Sequence, residues 1–120
     1  MLDHVSLSVP DPVHSQAFYA KALAPLGYEL ISPGESGFGI GLDGGSTVWV
    51  SRGAAQKPIA HLAFRAKGRK QVQEFHKAAL AAGGRDNGKP GLRTDYAPNY
   101  YAAFALDPDG NNIEAVCFGE

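Results

Sequence analysis

The chain has 120 residues, the size of one domain, and can bury roughly 65% of the surface it exposes when unfolded. Its 11 basic and 12 acidic side chains nearly cancel and form no Lys/Arg block, so the footprint of a nucleic-acid binder is missing. No apolar run approaches the ~18 residues of a membrane span, and a lone Cys117 excludes an internal disulfide framework.

The opening Met1-Leu2-Asp3-His4 carries no basic leader, and the single thiol suits a reducing compartment, so a cytoplasmic location is expected. Residues 2–9 alternate, with Val5, Leu7 and Val9 on one face and His4, Ser6 and Ser8 on the other, which predicts a half-buried strand. Asp11-Pro12 offers a helix cap and a first-turn proline, and Val13, Ala17, Phe18, Leu23 and Leu26 follow at helical spacing, with Pro25 distorting the last turn. Strands are predicted near 28–32, 37–42 and 46–52, separated by Pro33-Gly34 and Asp43-Gly44-Gly45 turns.

The second half copies this order at an offset of 57 residues. His4-Val5-Ser6-Leu7 falls on His61-Leu62-Ala63-Phe64, Phe18 on Phe75, Tyr19 on His76, Ala22 on Ala79, Leu23 on Leu80 and Gly27 on Gly84. Residues 60–66 alternate as a strand, and Val72, Phe75, Ala79 and Leu80 form a helical stripe stopped by Ala82-Gly83-Gly84. Strands are predicted near 92–94, 100–106 and 112–118, the last two joined through Asp107-Pro108-Asp109-Gly110. The fold class is therefore α+β: two βαβββ modules, about 1–53 and 58–120, paired into a curved mixed sheet with helices outside and forming a single domain.

Parity puts His4 and His61 on the face away from the helices, at equivalent positions. Glu114 alternates with Ile113 and Ala115 inside an apolar strand, where a carboxylate is costly unless it is paired or binds metal. Two imidazoles and a carboxylate suit a divalent ion such as Zn, Mn, Ni or Fe(II), with coordination positions left for substrate. Glu114 lies four residues after Gly110; four residues after Gly45 stands Trp49, so three ligands are expected rather than four. Trp49 is then either a pocket wall or a plain core indole.

Arg65 shares the face of His61, and Arg93, with Lys89, falls in a Gly/Pro-rich loop; both arginines are candidate partners for an anionic substrate. Tyr96, Tyr100 and Tyr101 form an aromatic cluster in which parity sends Tyr100 and Tyr101 to opposite faces, one into the core and one toward the cup. Cys117, on the face of Ile113 and Ala115, is expected to be a buried, inert thiol. His14 is expected at the solvent and His76 at a helix–sheet boundary, neither with a role.

The segments Asp3-His4-Val5-Ser6-Leu7-Ser8-Val9, Phe18-Tyr19 with Leu26-Gly27, His61-Leu62-Ala63-Phe64 and Asp107-Pro108-Asp109-Gly110-Asn111-Asn112-Ile113-Glu114 resemble the vicinal oxygen chelate superfamily, the glyoxalase/bleomycin-resistance/extradiol-dioxygenase group. The resemblance spans the chain and implies a metal in the cup of the paired modules, held by His4, His61 and Glu114. Glu114 would also be the candidate catalytic carboxylate. The stretch 86–93 with its tyrosines looks like a bacterial glyoxalase-like subgroup.

The resemblance implies a lyase, isomerase or thiol transferase acting on a small oxygen-bearing substrate, with a thiol cosubstrate in some members, and often a homodimer. Trp49, where four-ligand members carry a carboxylate, argues against glyoxalase I itself. The alternative it implies is a metal-free dimer of the bleomycin-resistance type that sequesters a small molecule between Trp49 and the tyrosines.

Overall fold

The computed structural model describes residues 2–42 and 44–119; Asp43, part of one expected turn, lies outside them, as do Met1 and Glu120. The chain runs β1 (Val5–Val9), α1 (Pro12–Leu23), a short 3-10 turn (Ala24–Leu26), β2 (Glu29–Gly34), β3 (Gly37–Gly41), β4 (Val48–Arg52), β5 (His61–Arg65), α2 (Arg69–Ala81), β6 (Arg85–Leu92), β7 (Tyr100–Leu106) and β8 (Asn112–Phe118). This is βαβββ twice. No described helix is long and apolar enough to cross a membrane.

Each module builds a four-stranded mixed sheet, in the orders β1-β4-β3-β2 and β5-β8-β7-β6. The first and last strands of each module pair in parallel, and the rest pair antiparallel. The two sheets remain separate hydrogen-bonded units rather than one continuous ladder. They are joined through side chains: one apolar core unites Leu7, Val9, Phe18 and Val50 with Phe64, Phe75, Ile113 and Ala115. Burying each of the larger of these side chains contributes about 1.5–3 kcal/mol, which is why neither helix-facing sheet surface is left open.

The local signals explain the helices. Asp11 caps α1, its carboxylate accepting from the His14 N–H, and Pro12 occupies the first turn. The helix tightens at Ala24–Leu26 and ends at Gly27, whose φ of 84° is the left-handed conformation that glycine adopts cheaply. Its repeat counterpart Gly84 is needed for a different reason. A Cβ there would lie 2.7 Å from the Phe18 ring and 2.8 Å from the Ala79 carbonyl, so α1 and α2 approach the chain closely there. The left-handed stop of the second module has moved one residue earlier, to Gly83, with φ 98°.

Two expectations need correction. The strand expected near 92–94 is instead β6, Arg85–Leu92, so the stretch expected as a loop pairs with β7. Its Gly/Pro content is accommodated by register shifts between Asp86 and Gly88 and between Gly88 and Gly91, so it is a bulged edge strand. Leu80, expected on the buried stripe, is 38% exposed, whereas its counterpart Leu23 is buried.

Candidate functional site

The register of the two modules is the same. Ser6 and Gly39 flank Trp49 on β1, β3 and β4. Ala63 and Phe104 flank Glu114 on β5, β7 and β8. Adding 57 to Ser6 gives Ala63, so Trp49 and Glu114 occupy equivalent places, as the repeat requires. In the second module Glu114 is buried at 1% exposure on the face away from α2. The opposite parity of β8, Ile113, Ala115 and Cys117, enters the main core.

Three groups surround that carboxylate. His61 Nε2 lies 2.7 Å from Glu114 Oε1, and the Tyr100 hydroxyl donates to Glu114 Oε2. The Phe104 ring sits 6.0 Å from the His61 ring. Tyr100 and Phe104 cover the small satellite core of Ala102 and Val116, so water is kept from the carboxylate. The Tyr100 hydroxyl pKa is raised to about 12, first by burial and then by the hydrogen bond to and charge of Glu114, so this phenol stays protonated and is a hydrogen-bond donor at neutral pH.

Rings and guanidinium groups continue outward along this face. Tyr100 meets Tyr96 at 5.1 Å and Phe118 at 5.2 Å, both edge to face. The Arg65 guanidinium lies 4.7 Å over Phe118, and that of Arg93 5.4 Å over Phe104. Arg93 is fixed by donating to the Lys89 carbonyl at 2.7 Å. His61, Glu114, Tyr96, Tyr100, Arg65 and Arg93 are thus gathered. Tyr101 goes to the other face, packs on the main core and accepts from Gln73 at 2.9 Å.

His4 is not gathered with them: among the described residues no three His, Cys, Asp or Glu side chains converge. Its side chain is 48% exposed, and its Nδ1 lies 2.7 Å from Asp3 Oδ1. Trp49 is 36% exposed on the face opposite the core, so the core-indole alternative falls. The indole lies over Gly39, the space that Phe104 fills in the second module.

Cys117 is buried, and its thiol pKa is raised by that burial. His76 is buried and 2.9 Å from Asp86, while His14 is exposed. The network behind the site was not foreseen from sequence. Asp107 accepts from Tyr19 and from Asn111, and the Asn111 amide oxygen accepts from the N–H of Ala60, the residue before His61. The Asp107-to-Gly110 motif was visible, but its partners Tyr19 and Ala60 lie far away in sequence.

Matched by this architecture and by residues 1–115, the chain belongs to the Glyoxalase/Bleomycin resistance protein/Dioxygenase superfamily. It is similar over 97% of both chains, at 30% identity and TM-score 0.77, to a glyoxalase/bleomycin resistance protein from Albidiferax ferrireducens. A superfamily enzyme from Burkholderia phytofirmans, at 18% identity, matches over 97% of both chains with TM-score 0.76. A mutant of the genomically encoded fosfomycin resistance protein FosX from Listeria monocytogenes, complexed with Mn(II) and 1S,2S-dihydroxypropylphosphonic acid, matches at 20% identity and TM-score 0.73, covering 100% of this chain and 90% of that one. These two share the fold. No curated protein matches the chain.

Proposed function

We propose that the protein is a divalent-metal-dependent, glyoxalase-like enzyme of the lyase, isomerase or thiol-transferase kind, acting in the cytoplasm on a small oxygen-bearing substrate. The observation that carries this is the buried Glu114 carboxylate, with His61 against one oxygen and Tyr100 against the other. An imidazole nitrogen beside a carboxylate oxygen is a donor set that fits Zn, Mn, Ni or Fe(II). When bound, such an ion supplies Lewis-acid polarisation of a substrate carbonyl, enolate or epoxide oxygen.

The chain's own groups do the rest. Tyr100 keeps its proton and donates it in a hydrogen bond to Glu114, which fixes the carboxylate beside His61. Arg65 and Arg93 attract and orient an anionic substrate group, and Phe104 excludes water from Glu114. Trp49 walls the other half.

A catalytic ion is held by about three protein ligands, and among the described residues one chain brings together two, His61 and Glu114. We assign the third to His4 of the partner subunit in a homodimer. His4 is half exposed and among the described residues its side chain is bonded to its neighbour Asp3 alone, and Trp49, Tyr96 and Phe118 present exposed rings on the faces away from the helices. Those exposed rings also favour a second reading, a dimer that sequesters an aromatic small molecule without metal.

Elemental analysis of untagged protein decides between them. The enzyme reading expects about one ion per chain, lost in His61→Ala and in His4→Ala. A heterodimer of those two variants should regain half the sites, because one of its two sites is then intact. Absence of metal after reconstitution with each ion, with small-molecule binding unchanged in chelator, overturns it in favour of sequestration.

A further inference from the structure

A cleft of about 600 Å³ opens where the modules meet, adjoining the Glu114 face, with which it shares Arg65. Its walls are Leu26, Gly27 and Tyr28 from the end of α1's turn, Leu42 after β3, and Arg65, Ala66 and Lys67 leaving β5. This volume falls in the ordinary range of small-molecule sites, about 300–1,000 Å³. The lining divides by chemistry. Leu26, Leu42 and the Tyr28 ring make an apolar floor, and Leu42 is 44% exposed. Arg65 and Lys67 supply the basic part of the lining, with the Arg65 guanidinium lying over Phe118 at its edge. No carboxylate among the described residues lines the cleft, and neither cation forms an ion pair with a described residue.

The cleft has one ordered wall. Tyr28 packs edge to face on Phe64 at 5.1 Å, which sets a ring of the first module against a strand of the second. The position of Lys67 is also held, because its backbone N–H donates to Gln71 Oε1 at 2.8 Å.

We infer that this seam is a second ligand site, for an amphipathic organic anion: a carboxylate met by Arg65 and Lys67, with an apolar body lying on Leu26, Tyr28 and Leu42. Two cations with no carboxylate among the described lining residues select negative charge, and the exposed leucine supplies the apolar contact. The site also touches the Glu114 face. Arg65 rests on Phe118, Phe118 meets Tyr100, and Tyr100 donates to Glu114. An anion that draws Arg65 off Phe118 removes packing from the residue that holds the carboxylate.

The test uses octanoate as probe on the whole protein in chelator, so it does not depend on the metal reading. Calorimetry should show saturable binding, weakened about tenfold in Lys67→Gln and again in Leu42→Asp, and unchanged in His61→Ala. Octanamide and inorganic phosphate should each bind at least about tenfold more weakly than octanoate, because each lacks one half of the recognised ligand. Amide shift changes on titration should centre on residues 26–28 and 65–67. Lys67 lies on the surface, so Lys67→Gln keeps the test open if Leu42→Asp fails to fold. Absence of saturable binding, or binding lost in His61→Ala but kept in Lys67→Gln, overturns the inference.

Discussion

Trp49 and Glu114 stand at the same register position of two copies of one module, and each is matched to its neighbour on the next strand. Glu114 sits beside Phe104, whereas Trp49 sits beside Gly39, where a Cβ would come within 3.0 Å of the indole. A large ring next to a short acid in one module has become a large ring next to no side chain in the other.

This exchange predicts coupling between Gly39 and Trp49. Gly39→Ala should destabilise by about 1–3 kcal/mol through crowding against Ser46 Oγ, 2.7 Å from the added Cβ, and the indole at 3.0 Å, and the indole's share of that cost should vanish in a Trp49→Ala background. Urea unfolding of the four proteins in the cycle measures it. Additive effects would refute the contact.

Trp49→Glu would place a second carboxylate at the position equivalent to Glu114. Under the metal reading, this variant should hold its ion more tightly than the wild type, by about tenfold or more in a chelator competition. Unchanged affinity would show that position 49 does not face the ion.

Tyr100 offers a pH readout. In metal-free protein its absorbance near 295 nm should report deprotonation at about 12. Glu114→Gln should bring that midpoint down toward the ordinary tyrosine value, since the carboxylate's hydrogen bond and charge are among its causes. The raised pKa stabilises the fold fully below the ordinary tyrosine range. That contribution is lost as pH rises through about 12, because the unfolded phenol ionises first.

Asp86 runs the opposite way. The Gly88 N–H, and after it the hydrogen bond from His76, lower its pKa. Its contribution is therefore present above the ordinary carboxylate range and is lost as pH falls below it. Asp86→Asn should flatten the acid limb of stability measured between neutral and acidic pH, and an unchanged limb would remove the assignment.

Tyr19→Phe strips a donor from Asp107, which is 3% exposed. A loss of about 1–3 kcal/mol is expected in urea unfolding, the cost of leaving a buried acceptor short of a partner. The Tyr19 hydroxyl pKa is raised well above its usual value, first by burial and then by Asp107, so the wild-type phenol stays protonated across the working range.

Much of this protein was legible from residues alone, because the signals are local. Strand alternation set the inward faces of β1, β5 and β8, and β7 and β8 fall at the boundaries expected for them. The repeat foretold that Trp49 would stand where Glu114 does, and parity separated Tyr100 from Tyr101. Where local signals conflicted, the expectation failed: the glycines and proline of 86–93 argued for a loop, but pairing with β7 made an edge strand with bulges.

Tertiary structure alone decided which distant groups meet. Tyr100 reaching Glu114, Arg93 lying over Phe104 and Tyr19 donating to Asp107 depend on strand order and rotamer, which no periodicity encodes. His4 and His61 were expected to converge because they are equivalent in the repeat. Equivalence fixes a residue's place within its module but leaves open how modules are set against each other, and within one chain His4 stays with Asp3.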